Sequence, residues 1–259
     1  MNPLNDSATM LRRNLRHMRR YPTMTLMLLG MPVVFLLLFV YVFGATLGNG
    51  IGGASGGRET YIAYVTPGII LMAMASASQG TAVAVAIDMT TGIVARFRTM
   101  PIWQPSLLSG HVIGSVVHAL LGIAVVTGVA VLIGFRPNAT PIEWLAVAGL
   151  LAGFSLALTW LVVGLGLVAK SVESASNTPM FLLVLPFLGS GFVPTETMPA
   201  WLRWFAAHQP FTPLTETLRG LLLGTPIGDS AAQAVGSCVA LTIVGYAWSK
   251  HLFKRAASR

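Results

Sequence analysis

Long uncharged apolar runs govern what this chain can fold into. They cover residues 23–47, 61–87, 106–135, 142–169, 178–193 and 230–249, and within them only Glu143 carries a charge. A helix rises about 1.5 Å per residue, so roughly 20 apolar residues cross the hydrocarbon core of a bilayer. Lipid offers no hydrogen-bond partners, so a spanning segment must satisfy its backbone internally, which these runs do as helices. Charged residues make up 9% of the chain, against about a quarter in a soluble domain. The expected fold is an all-α polytopic membrane protein, a single transmembrane domain over residues 1–259 with six transmembrane helices.

The segments between the runs differ in character. In residues 6–21, Asp6 or Ser7 can cap a helix, and Leu11, Leu15 and Met18 fall on one helical face among five arginines. This fits an N-terminal amphipathic interface helix on an anionic leaflet, or a solvated basic tail that only sets orientation. The run after it is too long for the usual core of a secretory signal. Gly48–Glu59 is rich in glycine, lacks the Gly-Lys-Ser/Thr ending of a phosphate loop, and predicts a flexible connector. The small residues of 73–80 suit close helix contact, either within one subunit or along an interface or pathway. Gly149, Gly153, Gly164 and Gly166 mark further close contacts. In the segment 88–105, Gly92 and Pro101 bracket Ile93–Met100, enough for about two helical turns. His111 and His118 lie in the third run, where a histidine is a site hypothesis. His111 is near a segment end, and His118 has no carboxylate at helical spacing.

Charge sets the topology. With both termini cytoplasmic, the inner side holds Arg12, Arg13, Arg16, Arg19, Arg20, Arg96, Arg98, Lys170, Lys250, Lys254, Arg255 and Arg259. The outer side holds Arg58, Arg136, Arg203 and Arg219. That asymmetry follows the positive-inside rule. It also explains the net charge of +8 without nucleic acid.

Between the fifth and sixth runs the pattern breaks. Phe187–Gly224 carries prolines at 194, 199, 210 and 213, yet stays apolar and aromatic. Thr197-x-Pro199 and Thr212-Pro213 each predict a cap followed by a first helical residue. Residues 194–224 therefore predict two short outer helices, either re-entrant or lying flat at the interface. Broken helices at membrane depth occur where protein buries them or where they line a water-filled cavity.

Catalytic patterns do not occur. There is no Gly-x-Ser-x-Gly elbow, no His-Glu-x-x-His and no phosphate loop. The acids Asp6, Glu59, Asp88, Glu143, Glu173, Glu196, Glu216 and Asp229 lie at or between segment ends, or in the outer stretch. The middle of the membrane thus lacks the ionisable groups of an ion-driven carrier. Cys238 is the single cysteine, and no Cys/His cluster has metal-ligand spacing. No catalytic residue, metal or cofactor is expected on this chain.

Two stretches resemble the membrane subunit of ABC-2 type exporters. Asp88, Gly92, Arg96-Phe97-Arg98 and Pro101 are similar to that family's cytoplasmic coupling segment. Residues 186–224 are similar to the segment between the last two spans of the daunorubicin-resistance type of permease. Thr90 and Ala95 depart from the family pattern, where many members carry acids.

The resemblance implies a plasma-membrane permease that pairs with a second permease copy, in a homodimer, above two copies of a separate ABC ATPase. ATP and Mg would bind the ATPase. Gly92, Ile93, Arg96, Phe97, Arg98, Met100 and Pro101 would couple to it, with Arg16, Arg19 and Glu173 in support. Phe192, Trp201, Trp204, Phe205, Phe211 and Leu218 would form the outer gate. The implied function is export of an amphipathic drug-like or lipid-like substrate from the cytoplasm or inner leaflet. Export of a cell-envelope lipid or glycoconjugate is the alternative within the family. An ion-coupled secondary carrier and a non-transporting membrane enzyme or scaffold are the alternatives outside it.

Overall fold

The computed structural model describes residues 22–52, 56–90, 106–169 and 171–257. The amphipathic helix expected over 6–21, with Arg16 and Arg19, lies outside the described residues. So does the coupling segment from residue 91 to 105. The described residues are helical and contain no strand.

Helix α1 (Pro22–Leu38) runs through Pro32, a π-helical turn (Phe39–Phe43) and on into α2 (Gly44–Gly52). Helix α3 covers Arg58–Thr90, α4 Ser106–Leu132 and α5 Pro141–Val168. A broken run follows: α6 (Val172–Asn177), a 3-10 turn (Thr178–Met180), α7 (Phe181–Val184) and a second 3-10 turn (Leu185–Leu188). Then come α8 (Ala200–His208), α9 (Phe211–Leu223) and α10 (Ser230–Ala257).

Among the described residues, five helices are long and apolar enough to cross a membrane: Gly30–Ile51, Arg58–Thr90, Val112–Leu132, Pro141–Val168 and Ser230–Phe253. The sixth expected span, 178–193, differs. Its helical run begins earlier, at Val172, ends at Leu188, and is interrupted at Pro179 and Pro186. Proline lacks an N–H and clashes with the preceding turn, so the helix tightens into 3-10 geometry at each of them.

The glycine-rich connector also differs from expectation. Helix α2 continues to Gly52 and α3 starts at Arg58, so much of Gly48–Glu59 is helical. A Cβ on Gly48 would collide with the Gly57 backbone, and one on Gly56 with the backbone of Gly48. These glycines serve close approach between two helix ends, not only flexibility. At the next turn the sequence Thr140-Pro141-Ile142-Glu143 forms a capping box. Thr140 N–H donates to Glu143 Oε2 at 2.6 Å, and Glu143 N–H donates to Thr140 Oγ1 at 3.4 Å.

Helix α3 is the axis of the molecule. Of its most apolar window 78% is buried, against 17% for α10. Residues Ala73 to Ser78 are buried inside the chain, so the small-residue run packs within one subunit. Gly166 of α5 meets the backbone of Ala82, where a Cβ would stand 2.8 Å from the carbonyl. Helices α5 and α10 pack as closely. A Cβ on Gly245 would lie 2.9 Å from Leu161 N, and one on Gly164 would lie 2.5 Å from the Trp248 ring. Ser249 Oγ donates across this seam to Trp160 O at 2.8 Å. Small residues let backbones approach and replace hydrophobic driving force with contact. Met31, Val34, Val42, Val239, Ile243 and Val244 are exposed on the opposite faces, as lipid contact requires.

Candidate gate and coupling ends

The broken run ends in a tight turn, Gly189–Val193, that packs on α3 beside Pro67-Gly68. A Cβ on Gly68 would stand 2.6 Å from Gly191 O, so this approach requires glycine. Arg219 of α9 clamps the turn. Its Nη2 donates to Ser190 O at 2.8 Å and to Tyr64 O at 3.2 Å, and its guanidinium lies 3.9 Å from the Tyr64 ring centroid. Burial lowers its pKa, while Tyr64 and Glu216 oppose that shift. Glu216 accepts a hydrogen bond from Ser230 Oγ at 2.7 Å, which ties α9 to the start of α10.

The six expected gate residues divide by direction. Phe192 is buried and stacks on Phe187 at 4.3 Å, with Phe39 of the π-helical turn at 4.8 Å. The Tyr61 hydroxyl reaches Phe192 O at 3.5 Å. Phe211 is buried edge-on against Phe154 of α5 at 5.1 Å, and Leu218 is buried about two turns further along α9. By contrast Trp201 is 74% exposed, Trp204 65% and Phe205 38%. Phe192 and Phe211 anchor the stretch to the π-helical turn, α3 and α5, and the two tryptophans and Phe205 face outward along α8.

The two short helices start differently from expectation. Thr197 donates its hydroxyl to Pro194 O in a 3-10 turn (Thr195–Thr197) and does not cap α8, which follows Pro199. Thr212 lies inside α9, which follows Pro210. Proline supplies no side-chain acceptor, so neither helix has a side-chain cap. Helix α9 ends at Gly224, whose φ of 73° is left-handed, the conformation glycine adopts freely. Asn138 N–H donates to Leu222 O at 2.9 Å, so the α4–α5 turn lies at the same end of the molecule.

The other end of α3, at Thr90, precedes the segment expected from sequence to couple to an ATPase. Thr90 Oγ1 donates to Ala86 O at 2.9 Å, and Asp88 is buried. Val85, Val112 and Val163 pack there, with Met89, Trp160 and Phe253 around them. Gln79 Nε2 donates to Ser176 O at 2.7 Å, anchoring α6 on the second half of α3. Glu173 is exposed in the first turn of α6, where Ser171 Oγ caps Ser174 N–H at 3.1 Å. From Tyr64 to Thr90 the helix spans on the order of 40 Å. The clamped turn packs near one end of α3, and Thr90 closes the other. His118 is buried in α4, beside the level where Thr159 meets Ser115 at 3.3 Å. Gly92, Ile93, Arg96, Phe97, Arg98, Met100 and Pro101 lie outside the described residues.

Reading the sequence missed two features of the site. Arg219 counted only as an outer charge, since nothing local reveals that it faces carbonyls from α3 and the turn. Gly68 and Gly191 gave no signal either, because their contact joins positions far apart in the chain.

The sequence pattern of the ABC-2 type transporter matches residues 7–223, a range that includes both the coupling segment and the clamped stretch. The chain belongs to the ABC-2 type transporter family. It is 30% identical over 220 residues to a daunorubicin resistance ABC transporter permease protein of Streptomyces coeruleorubidus, covering 85% of this chain and 75% of that one. It is 25% identical over 198 residues to a probable doxorubicin resistance ABC transporter permease protein of Mycobacterium tuberculosis, covering 75% and 70%. This ABC-2 chain is thus a multi-pass membrane protein and a transport subunit of the permease kind.

Proposed function

We propose that this chain is the permease of an ATP-driven exporter for amphipathic, drug-like compounds, working with a separate ABC ATPase. The similarity to a daunorubicin resistance permease across 85% of the chain carries this reading. The architecture supports it. A long buried helix runs from the broken, clamped stretch to Thr90, where the basic-aromatic sequence Arg96-Phe97-Arg98 follows in the chain. With the charge asymmetry placing both termini in the cytoplasm, the clamped stretch faces outside. Two permeases and two ATPases form the transporter, and substrate leaves the cytoplasm or inner leaflet between the permeases.

Co-expression with a phosphate-loop ATPase of the ABC class, in a host sensitive to daunorubicin, tests the proposal. The expected result is a co-purifying complex and lower daunorubicin accumulation that depends on ATP. A complex that hydrolyses ATP but leaves accumulation unchanged rejects the substrate class. Failure to bind any such ATPase rejects the subunit role. Within the complex, Phe97→Ala or Arg98→Glu weakens co-purification of the ATPase, because the basic-aromatic segment supplies packing and charge to the contact. Undiminished binding in both variants removes this segment from the interface.

A further inference from the structure

The run from Val172 to Leu188 breaks at two prolines, and each break frees one backbone carbonyl. At the first, the 3-10 turn Thr178–Met180 draws each N–H to the carbonyl three residues back instead of four. Ser176 O, four residues before Met180, thereby loses its ordinary donor. At the second, Gly189 N–H donates to Pro186 O at 3.4 Å, again three residues back. Leu185 O, four residues before Gly189, loses its donor in the same way. An orphaned carbonyl is costly wherever water is absent.

Two glutamines take those same carbonyls. Gln79 Nε2 of α3 donates to Ser176 O at 2.7 Å. Gln209 Nε2, from the corner between α8 and α9, donates to Leu185 O at 3.0 Å. Among the described glutamines these are the two withdrawn from the surface, Gln79 half-buried and Gln209 5% exposed. Gln209 Oε1 has no partner among the described residues. A buried carboxamide with an unused oxygen carries a cost that an apolar side chain of the same length would avoid, so packing alone does not account for glutamine here. Its amide also stands over Gly189, where a Cβ would come within 2.5 Å of Nε2. Gly189 has φ −115° and ψ −167°, an extended conformation open to any residue. Its missing side chain therefore leaves room for the amide rather than easing the backbone.

We propose that Gln79 and Gln209 are positioning residues of the transport path: their carboxamides replace lost backbone donors and splint the broken run at Pro179 and Pro186. Held in that form, the run delivers the turn Gly189–Val193 onto α3, where Arg219 clamps it. A continuous α-helix over the same residues would return both carbonyls to backbone donors, Met180 N–H and Gly189 N–H. Rise and turn per residue differ between the two helix types, so Gly191 would then leave its seat on Gly68. Each proline forbids the continuous helix, and the glutamine opposite it makes the broken one stable in apolar surroundings. The role in transport rests on the export reading given above.

Thermal unfolding of the purified chain in nanodiscs tests the splints. Gln79→Met and Gln209→Met keep the bulk and remove the donor, and each should lower the melting temperature by about 3 °C or more. Pro179→Ala and Pro186→Ala let backbone N–H groups reach the freed carbonyls. Combined with its own proline variant, each glutamine change should therefore cost less than about 1 °C. Equal losses with and without the proline, or a glutamine variant that its proline change does not return to a purifiable state, reject the splints. Export then separates position from folding. Assembled with an ABC ATPase, Gln79→Met/Pro179→Ala and Gln209→Met/Pro186→Ala should keep the ATPase bound yet slow daunorubicin export by about fivefold or more. Export restored along with stability rejects the positioning role. An unmodified complex that exports no daunorubicin fails the export reading alone, and the thermal cycles still decide the splints.

Discussion

Arg219 has carbonyls and an aromatic face where most cations of a membrane protein have water or headgroups. Two charge-assisted bonds and the Tyr64 contact hold α3, α9 and the Ser190 turn together. Arg219→Met keeps the apolar stem and removes all three interactions. It should destabilise the protein by about 2 kcal/mol, read as a fall in the midpoint of thermal unfolding. Arg219→Lys should recover only part of the loss, because an ammonium lacks the flat, weakly hydrated guanidinium face that lies on the Tyr64 ring. The gate aromatics give a contrast at the same scale. Phe192→Ala should cost about 3 kcal/mol, since it opens a cavity among Phe39 and Phe187. Trp201→Ala should change stability by less than about 0.5 kcal/mol, since the ring is outside the core. Equal losses in the two variants would contradict the division between anchoring and outward residues.

At the scale of elements, α8 and α9 are a dissimilar pair. Helix α9 is buried along nearly its whole length, from Phe211 to Leu222. Helix α8 buries only Ala206 and turns Trp201, Arg203, Trp204 and His208 outward. His208 stacks on Trp204 at 4.6 Å and its Nδ1 lies 2.8 Å from Trp204 O. Such a helix, aromatic and basic on one face, suits the interfacial plane rather than the bilayer core. Single-tryptophan variants keeping Trp204, in vesicles of brominated lipids, should be quenched most by bromines near the headgroups. Stronger quenching by deep bromines would favour a helix that dips. The prolines made the breaks in this stretch legible in the sequence. They did not fix where each helix starts, because the cap readings assumed threonine hydroxyls free to cap. Thr197 is held by its own 3-10 turn, and Thr212 is drawn into α9 by the corner at Pro210.

For the molecule as a whole, the charge asymmetry predicts that Glu196 is external. In a chain carrying Cys238→Ser, Glu196→Cys should react with a membrane-impermeant thiol reagent in intact cells. Reaction only after lysis would invert the topology and place the clamped stretch at the ATPase side. Long helices and family were legible from sequence because both rest on local pattern. Apolar length dictates a spanning helix wherever lipid is the solvent, and the coupling motif is contiguous. Tertiary structure decided the rest. The broken run, the meeting of Gly68 with Gly191, the direction of each gate aromatic and the partners of Arg219 all depend on which surfaces pack together. No residue's own neighbours in sequence specify those contacts. They follow from close packing around α3, where glycine admits a backbone and a buried donor must find whatever acceptor the fold presents.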